Sequence, residues 1–310
     1  MYFYLFIQTL NPTVVNQTNP EYSISKLKNG ITVITESNSA PSNVHMGILV
    51  NVGSRDETHE NSGSCLAIKN TYLKTLKHTN ETINYGMVQM SGGECDMQYD
   101  EETMFYHAYA FEYDVTDIFR MLGDMVFEPR SILAANVARD KNRQYFKLQH
   151  HLSHYNPFQN NPQLLLTTAF GYNTLGMPKT GFESNIENLD AKVLQDFQLD
   201  NITPEKVTVV ANGVRHHNEF VDLVAETLSP LNPVREVDYQ RVRSEYIGGE
   251  YRTFTETPDT NIILAYQSVP WTDKDMPVFA LLQTIFGSAT GFSVGGPGKG
   301  MYNRAHRNSI

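Results

Sequence analysis

An apparent internal repeat constrains the fold of this chain more than any single motif. Residues 31–54, ITVITESNSAPSNVHMGILVNVGS, contain a strand-like run that ends in Thr35-Glu36, a turn with a proline, and a longer apolar run. Residues 252–270, RTFTETPDTNIILAYQSVP, follow the same plan and place Thr255-Glu256 at the corresponding point. The two stretches are separated by the length of a whole domain, so the repeat predicts two copies of one domain rather than an array of small units.

Strand and helix patterns are mixed within the first copy. A hairpin is predicted in SISKLKNGITVITES, where Asn29-Gly30 supplies the positive-φ turn. Further strands are predicted in NVHMGILVNVGS, ECDMQYD, ETMFYHAYAF and EKVTVVANG. Helices are predicted in SCLAIKNTYLKTL, VTDIFRMLGDMVF, SILAANVARDKNRQYF, NPQLLLTTAF, NLDAKVLQDFQ and EFVDLVAETLSPL. Because adjacent strands are joined by short turns, the pattern predicts an α+β fold and not a doubly wound one.

The repeat also predicts how the chain is divided. We expect an N-terminal extension at 1–23, a first α+β domain at 24–232, a linker at 233–243 and the start of a second α+β domain at 244–310. The second copy stops after its first helix, PVFALLQTIF, so we expect it to be truncated. An apolar strand in such a fragment cannot bury both its faces without a partner.

Composition excludes several classes of protein. The net charge of −10 over 310 residues argues against a nucleic-acid-binding protein, and it is compatible either with a basic partner or with solubility alone. Cys65 and Cys95 are the only cysteines, which excludes a disulfide framework and a four-cysteine zinc site and favours a reducing compartment. The sequence has no apolar run long enough to span a bilayer. Its first residues, MYFYLFIQTLNPTVV, lack the charge pattern of a targeting signal.

A glycine-rich stretch, TGFSVGGPGKGMYNRA, occupies residues 290–305. It is not a phosphate-binding P-loop, because Ser293 stands at the first glycine position and Gly300 follows Lys299 where Ser or Thr is required. The dinucleotide pattern also fails, since Met301 occupies the place of its third glycine. A flexible linker remains the alternative, although the aromatic and apolar residues in the stretch are unusual for one.

Two segments, VGSRDETHENSGS at 52–64 and GFSVGGPGKGMYNR at 291–304, resemble the mitochondrial processing peptidase family of pitrilysin-type zinc peptidases. The resemblance spans about residues 24–305 and is specific in these two places. It implies a pitrilysin-type (LuxS/metallopeptidase-like) α+β domain, present twice with the second repeat truncated. Within that family, GGPGKGMY is similar to the glycine-rich loop of the alpha subunit.

The resemblance also locates a zinc motif that this chain has lost. Catalytic members carry His-x-x-Glu-His on a helix, in which the histidines bind zinc and the glutamate is the general base. The corresponding residues here are Leu66, Lys69 and Asn70. Leucine has no ligand atom, asparagine is a weak zinc ligand, and a protonated lysine is not a base at neutral pH.

A third ligand, a glutamate on a later helix, is expected from the same resemblance. Around that spacing stand Tyr145, Phe146 and Lys147. No glutamate occurs between Glu128 and Glu183. Loss of all the ligands and of the base together predicts a subunit without catalytic activity, with no cofactor in this chain and zinc in a beta partner.

The resemblance then implies a function. We expect a non-catalytic alpha subunit of a processing peptidase in the mitochondrial matrix, whose partners are the zinc-bearing beta subunit and basic presequence peptides, with no nucleic acid. The residues expected to bind presequences are Gly291, Phe292, Gly295, Gly296, Pro297, Gly298, Lys299, Gly300, Met301 and Tyr302. The alternative is a structural core subunit of the respiratory cytochrome bc complex (complex III), peripheral to the inner membrane and bound to other subunits of that complex.

Histidines offer the remaining metal candidates. His150 and His154 share a helix face with His151 beside them, but histidines at a helix end commonly contact its last carbonyls. His216-His217 is a weaker candidate, because adjacent residues point to different faces. The first group has no nearby carboxylate to complete a three-ligand set, so no metal site is predicted. Cys65 lies on a predicted buried helix and is expected to pack in the core.

Overall fold

The computed structural model describes the chain in segments that exclude its two ends. The described residues are 22–37, 43–74, 86, 88–90, 92–127, 132–155, 161–228, 241–252, 262–270 and 272–286. The chain divides into two compact units, Met1–Asn261 and Ile262–Ile310. The glycine-rich stretch at 290–305 and Thr255-Glu256 both lie outside the described residues, so the predicted repeat stays a prediction. The predicted segment bounds, at 1–23, 24–232, 233–243 and 244–310, also stay predictions.

A six-stranded sheet organises the first unit. Its strands are β1 Tyr22–Lys26, β2 Thr32–Glu36, β3 Asn43–Val50, β4 Glu94–Tyr99, β5 Met104–Phe111 and β6 Val207–Asn212. Their order across the sheet is β1-β2-β6-β3-β5-β4, and every pair is antiparallel except β2 with β6. All six predicted strands of the first domain are confirmed.

The predicted hairpin is the β1–β2 pair. Tyr22 stands opposite Glu36, and the pairing continues without interruption to the residues beside the turn. Gly30 has a φ of 101°, a conformation that glycine adopts without steric cost. The side-chain oxygen of Asn29 accepts a hydrogen bond from the Ile31 N–H, which stabilises the turn that the Asn-Gly pair predicts.

Helices cover one face of the sheet. They are α1 Ser64–Asn70, α2 Val115–Phe127, α3 Ile132–Tyr155, α4 Asn161–Phe170, α5 Ala191–Asn201 and α6 His217–Thr227. The strongly amphipathic α2 buries Phe119 and Leu122 against inward-facing strand residues such as Tyr106 and Ile48. This single buried layer confirms the predicted α+β class.

Two helix bounds differ from the sequence-based prediction. Helix α1 ends at Asn70, although the pattern predicted a longer helix. The Thr71 hydroxyl donates a hydrogen bond to the Ala67 carbonyl oxygen, so a side chain replaces the backbone donor that would continue the helix. Helix α3 continues to Tyr155, a few residues past the end predicted near His151.

The second unit contains helix α7, Met276–Phe286, as predicted. The strand predicted within 262–270 is wrong, because this segment has no strand assignment. Strands form by pairing, and the described residues of this unit include no strand beside it. Ile262, Leu264 and Tyr266 are each more than three-quarters exposed. Among the described helices of the chain, none is long and apolar enough to cross a membrane.

Candidate functional site

Helix α1, which carries the positions predicted to match the zinc motif, begins at a buried carboxyl group. The two side-chain oxygens of Glu57 accept the backbone N–H groups of Gly63, at 2.8 Å, and Cys65, at 2.7 Å. A carboxylate is favoured at this end of a helix, because the first N–H groups have no partner within the helix. Burial raises the pKa of Glu57 to about 7, and the two backbone hydrogen bonds oppose this rise.

The first motif position is filled by an apolar side chain. Leu66 is 4% exposed, and it lies on α1 between the buried residues Cys65 and Ala67. Leucine has no atom that can coordinate a metal, so this position contributes only to packing.

The second motif position carries a positive charge. The Lys69 ammonium lies 2.9 Å from the Asp96 carboxylate and also donates to the backbone oxygen of Met97, so it joins α1 to strand β4. Its nitrogen lies 5.6 Å from the centre of the Tyr72 ring. An ammonium group donates hydrogen bonds and accepts none, so this position lacks the acceptor that a general base requires.

The third motif position is held by a neighbouring amide. The Asn70 side-chain NH2 donates to the Asn142 side-chain oxygen at 2.6 Å, and the Lys141 ammonium donates to the Asn70 backbone oxygen at 2.8 Å. Asn142 lies on α3 and is completely buried. Helices α1 and α3 approach closely here because Ala67 packs against Ala135 and Ala138.

Asn142 is the partner of the Asn70 side chain, a contact that sequence spacing missed. Spacing pointed to Tyr145, Phe146 and Lys147, about one helical turn further along α3. The usable signal was helical periodicity: on α3, Ala135, Ala138 and Asn142 recur at the spacing of one face, and this small-residue face is the one that α1 contacts.

These four residues do not form a zinc site. A zinc ion requires three or four nitrogen, sulfur or carboxylate ligands around one point. The motif positions instead present an alkyl group, an ammonium and an amide, and the facing helix presents a second amide. Across the part of the chain that the structure describes, no group of three His, Cys, Asp or Glu side chains is placed to hold a metal ion.

Two of the histidine and cysteine candidates from the sequence, His217 and Cys65, have structural roles. One ring nitrogen of His217 lies 2.7 Å from the Ser25 hydroxyl and the other 2.8 Å from the Thr35 hydroxyl, so this histidine ties α6 to strands β1 and β2. The side chains of His150, His151 and His154, at the end of α3, lie outside what the structure describes. Cys65 is fully buried as predicted, and burial raises the pKa of its thiol well above the usual range.

The segment VGSRDE holds a later part of the chain. Arg55 donates to the Val242 backbone oxygen at 2.6 Å and to the Ser244 hydroxyl at 3.2 Å. The Asp56 carboxylate accepts the Gly53 N–H at 3.0 Å and pairs with the Arg241 guanidinium at 3.2 Å. This motif therefore anchors the strap, which we define as residues 241–252.

The sequence of this chain matches the models of two related protein families. The model of the insulinase family, peptidase family M16, matches residues 32–181, and the model of the peptidase M16 inactive domain matches residues 188–305. The chain therefore belongs to peptidase family M16. Its described sheet and helices are similar to a protease from Helicobacter pylori, with a TM-score of 0.64 and 16% identity over 73% of this chain and 54% of that one, a likeness of fold alone.

Sequence similarity to curated relatives points to a particular group within the family. The mitochondrial-processing peptidase subunit alpha of Solanum tuberosum is 29% identical over 305 residues, covering 96% of this chain and 58% of the relative. The subunit alpha of Homo sapiens is 26% identical, with 96% and 59% covered. A probable subunit beta of Arabidopsis thaliana is 25% identical, with 87% and 51% covered. The predicted resemblance is confirmed, and the chain spans less than two thirds of the length of these relatives.

Proposed function

We propose that this chain is a non-catalytic, substrate-recognising alpha-type subunit of a mitochondrial processing peptidase. The observation that carries the proposal is the replacement of every part of the zinc site at once. Leu66, Lys69 and Asn70 are each committed to packing or to hydrogen bonds, and Asn142 faces them from α3. The similarity to alpha subunits and to an inactive M16 domain supports the same assignment.

The glycine-rich stretch is the proposed binding surface for presequence peptides. Glycines leave backbone N–H and C=O groups accessible to an extended peptide, because no Cβ blocks its approach. Phe292, Met301 and Tyr302 offer apolar contacts beside Gly295, Gly296, Pro297, Gly298 and Gly300. Lys299 repels a basic peptide, so we place it toward the partner subunit or the solvent. The net charge of −10 favours a basic substrate.

Catalysis in this proposal belongs to a beta-type partner that binds zinc. The described part of this chain presents no group of three metal ligands, so in this proposal it positions the substrate and the partner would hold the zinc. A relative named as a beta subunit is 25% identical to this chain, which is what a pair of homologous subunits requires. The names of these relatives support a mitochondrial location, and within the mitochondrion we propose the matrix.

Reconstitution with the beta subunit tests the proposal. The complex is assembled with the wild-type chain or with a chain that lacks residues 291–300, and cleavage of a basic presequence peptide is timed. The expected result is a loss of cleavage on deletion, with zinc still bound at one ion per complex. A matched control replaces Ser293 with alanine, which removes a hydroxyl but no glycine. Unchanged cleavage after the deletion contradicts recognition by this loop and favours a scaffold role, such as that of a core subunit of the cytochrome bc complex.

A further inference from the structure

Strand β4 lies at the edge of the described sheet. It pairs with β5 on one side, where Asp96 stands opposite His107 and Met97 opposite Tyr106. Alternate residues of an antiparallel edge strand direct their backbone groups away from the sheet. The carbonyl groups of Cys95 and Met97 bond to side chains outside the sheet, so they are outward-facing acceptors in the middle of β4.

The outward carbonyl groups of Cys95 and Met97 are already occupied. The Tyr72 hydroxyl donates to the Cys95 oxygen at 3.2 Å, and the Lys69 ammonium donates to the Met97 oxygen. An added strand would use these same oxygens to accept its own N–H groups. The helix α1 and the turn after it therefore occupy these two acceptors of β4 with two side-chain donors.

The Lys69 ammonium is held in place from two directions. The Asp96 carboxylate lies 2.9 Å away and also interacts with the backbone N–H of Met97. Burial of Asp96 acts to raise its pKa, but the hydrogen bonds from Lys69 and Met97 outweigh this and hold the pKa below the ordinary value. The Asp96 carboxylate thus bonds to the N–H of Met97 and the Lys69 ammonium to its carbonyl oxygen. These are the two backbone groups that a neighbouring strand would use.

We propose that Lys69, Asp96 and Tyr72 form an edge lock that closes strand β4 to an added extended peptide. Covering an edge strand with a helix or a loop is a known means of preventing strand addition, and Lys69 and Tyr72 do so from α1 and the turn after it. Lys69 also stands where the family motif has its glutamate, so one residue both removes the base and closes the edge. The edge lock goes beyond the proposed function, because it concerns the first unit and makes no use of residues 291–302.

Binding of an extended peptide to the full chain tests the proposal. The probe is a fluorescein-labelled peptide of alternating threonine and valine with a lysine at each end, and its affinity is measured by fluorescence anisotropy. In Lys69→Met the side chain keeps its length and loses its donor. We expect this variant to bind the probe about tenfold more tightly than the wild type, because a backbone acceptor is released. Lys26→Met on the other edge strand, β1, is the matched control and is expected to bind like the wild type.

A second variant and a second readout keep the result clear. Tyr72→Phe keeps the ring and loses only the hydroxyl, and we expect it to bind the probe a few-fold more tightly. Hydrogen exchange of the Met97 amide is measured with and without the probe, with circular dichroism as the check on folding. Protection of this amide by the probe in Lys69→Met supports the edge lock. Wild-type protein that binds the probe as tightly as Lys69→Met, or folded variants that bind no better than the wild type, overturns it.

Discussion

The side-chain NH2 of Asn70 donates to the side-chain oxygen of Asn142 at 2.6 Å, and this bond joins α1 to α3. Asn142 is completely buried, and its own NH2 group has no hydrogen-bond partner in the described structure. This amide pair thus links the two helices, with Asn142 on the buried side.

Removal of one member of this pair should destabilise the protein. We expect Asn70→Ala to lower the free energy of unfolding by about 1–3 kcal/mol, because the Asn142 oxygen is left buried without its donor. Replacement of both asparagines by leucine should cost less than the single change, since no buried polar atom then lacks a partner. Urea denaturation measures both effects, with Asn136→Ala on the exposed side of α3 as the control. A double variant less stable than Asn70→Ala would contradict this account.

Glu57 gives the stability a dependence on pH. Its pKa in the folded protein is raised from 4.5 to about 7, so the folded state binds this proton more tightly than the unfolded state. The resulting contribution is fully present below pH 4.5 and is lost as the pH rises to about 7. The free energy of unfolding should therefore fall across this interval, by up to about 3 kcal/mol.

The control for this prediction is Glu57→Gln, which has no titrating group. We expect it to be less stable than the wild type at low pH, because its single side-chain oxygen cannot accept both N–H groups of the α1 end. Its stability should also vary less between pH 4.5 and 7. Parallel pH profiles for the two proteins would show that Glu57 does not titrate in this range.

His217 provides a direct comparison with its neighbour. We expect His217→Ala to lower the free energy of unfolding by about 1–2 kcal/mol, because it breaks the hydrogen bonds to Ser25 and Thr35. His216 is exposed, and its replacement by alanine should change stability by no more than about 0.5 kcal/mol. Thermal denaturation of the two variants measures the difference. Equal effects would show that the bridge to the hairpin contributes nothing.

The strap at 241–252 should depend on one arginine. Arg241 donates to the side-chain and backbone oxygens of Asn51, both at 3.1 Å, and pairs with Asp56. We expect Arg241→Ala to speed limited proteolysis within the strap about tenfold, because several charge-assisted hydrogen bonds are lost together. Arg243 is exposed and offers the matched control. Equal cleavage rates for the two variants would contradict the anchoring role of the VGSRDE motif.

The sequence was sufficient for elements whose signals are local. Alternation of apolar residues predicted every strand of the first sheet, and Asn29-Gly30 predicted the hairpin turn, because these depend on neighbouring residues. The contact of Asn70 with Asn142 and the pairing of Asp56 with Arg241 depend on how distant segments pack. Spacing from a motif cannot supply that geometry, which explains why Asn142 was missed. The strand predicted within 262–270 failed for a related reason: a strand needs a partner as well as a pattern.

Recognition of presequences without cleavage is the role that we propose for this chain. Its most direct test is the equilibrium affinity of a fluorescein-labelled basic presequence peptide for the complex with the beta subunit, measured at fixed ionic strength. We predict that deletion of residues 291–300 weakens binding at least about tenfold, a loss of about 1.4 kcal/mol, while the zinc content of the complex stays the same. An unchanged affinity after the deletion would contradict the claim.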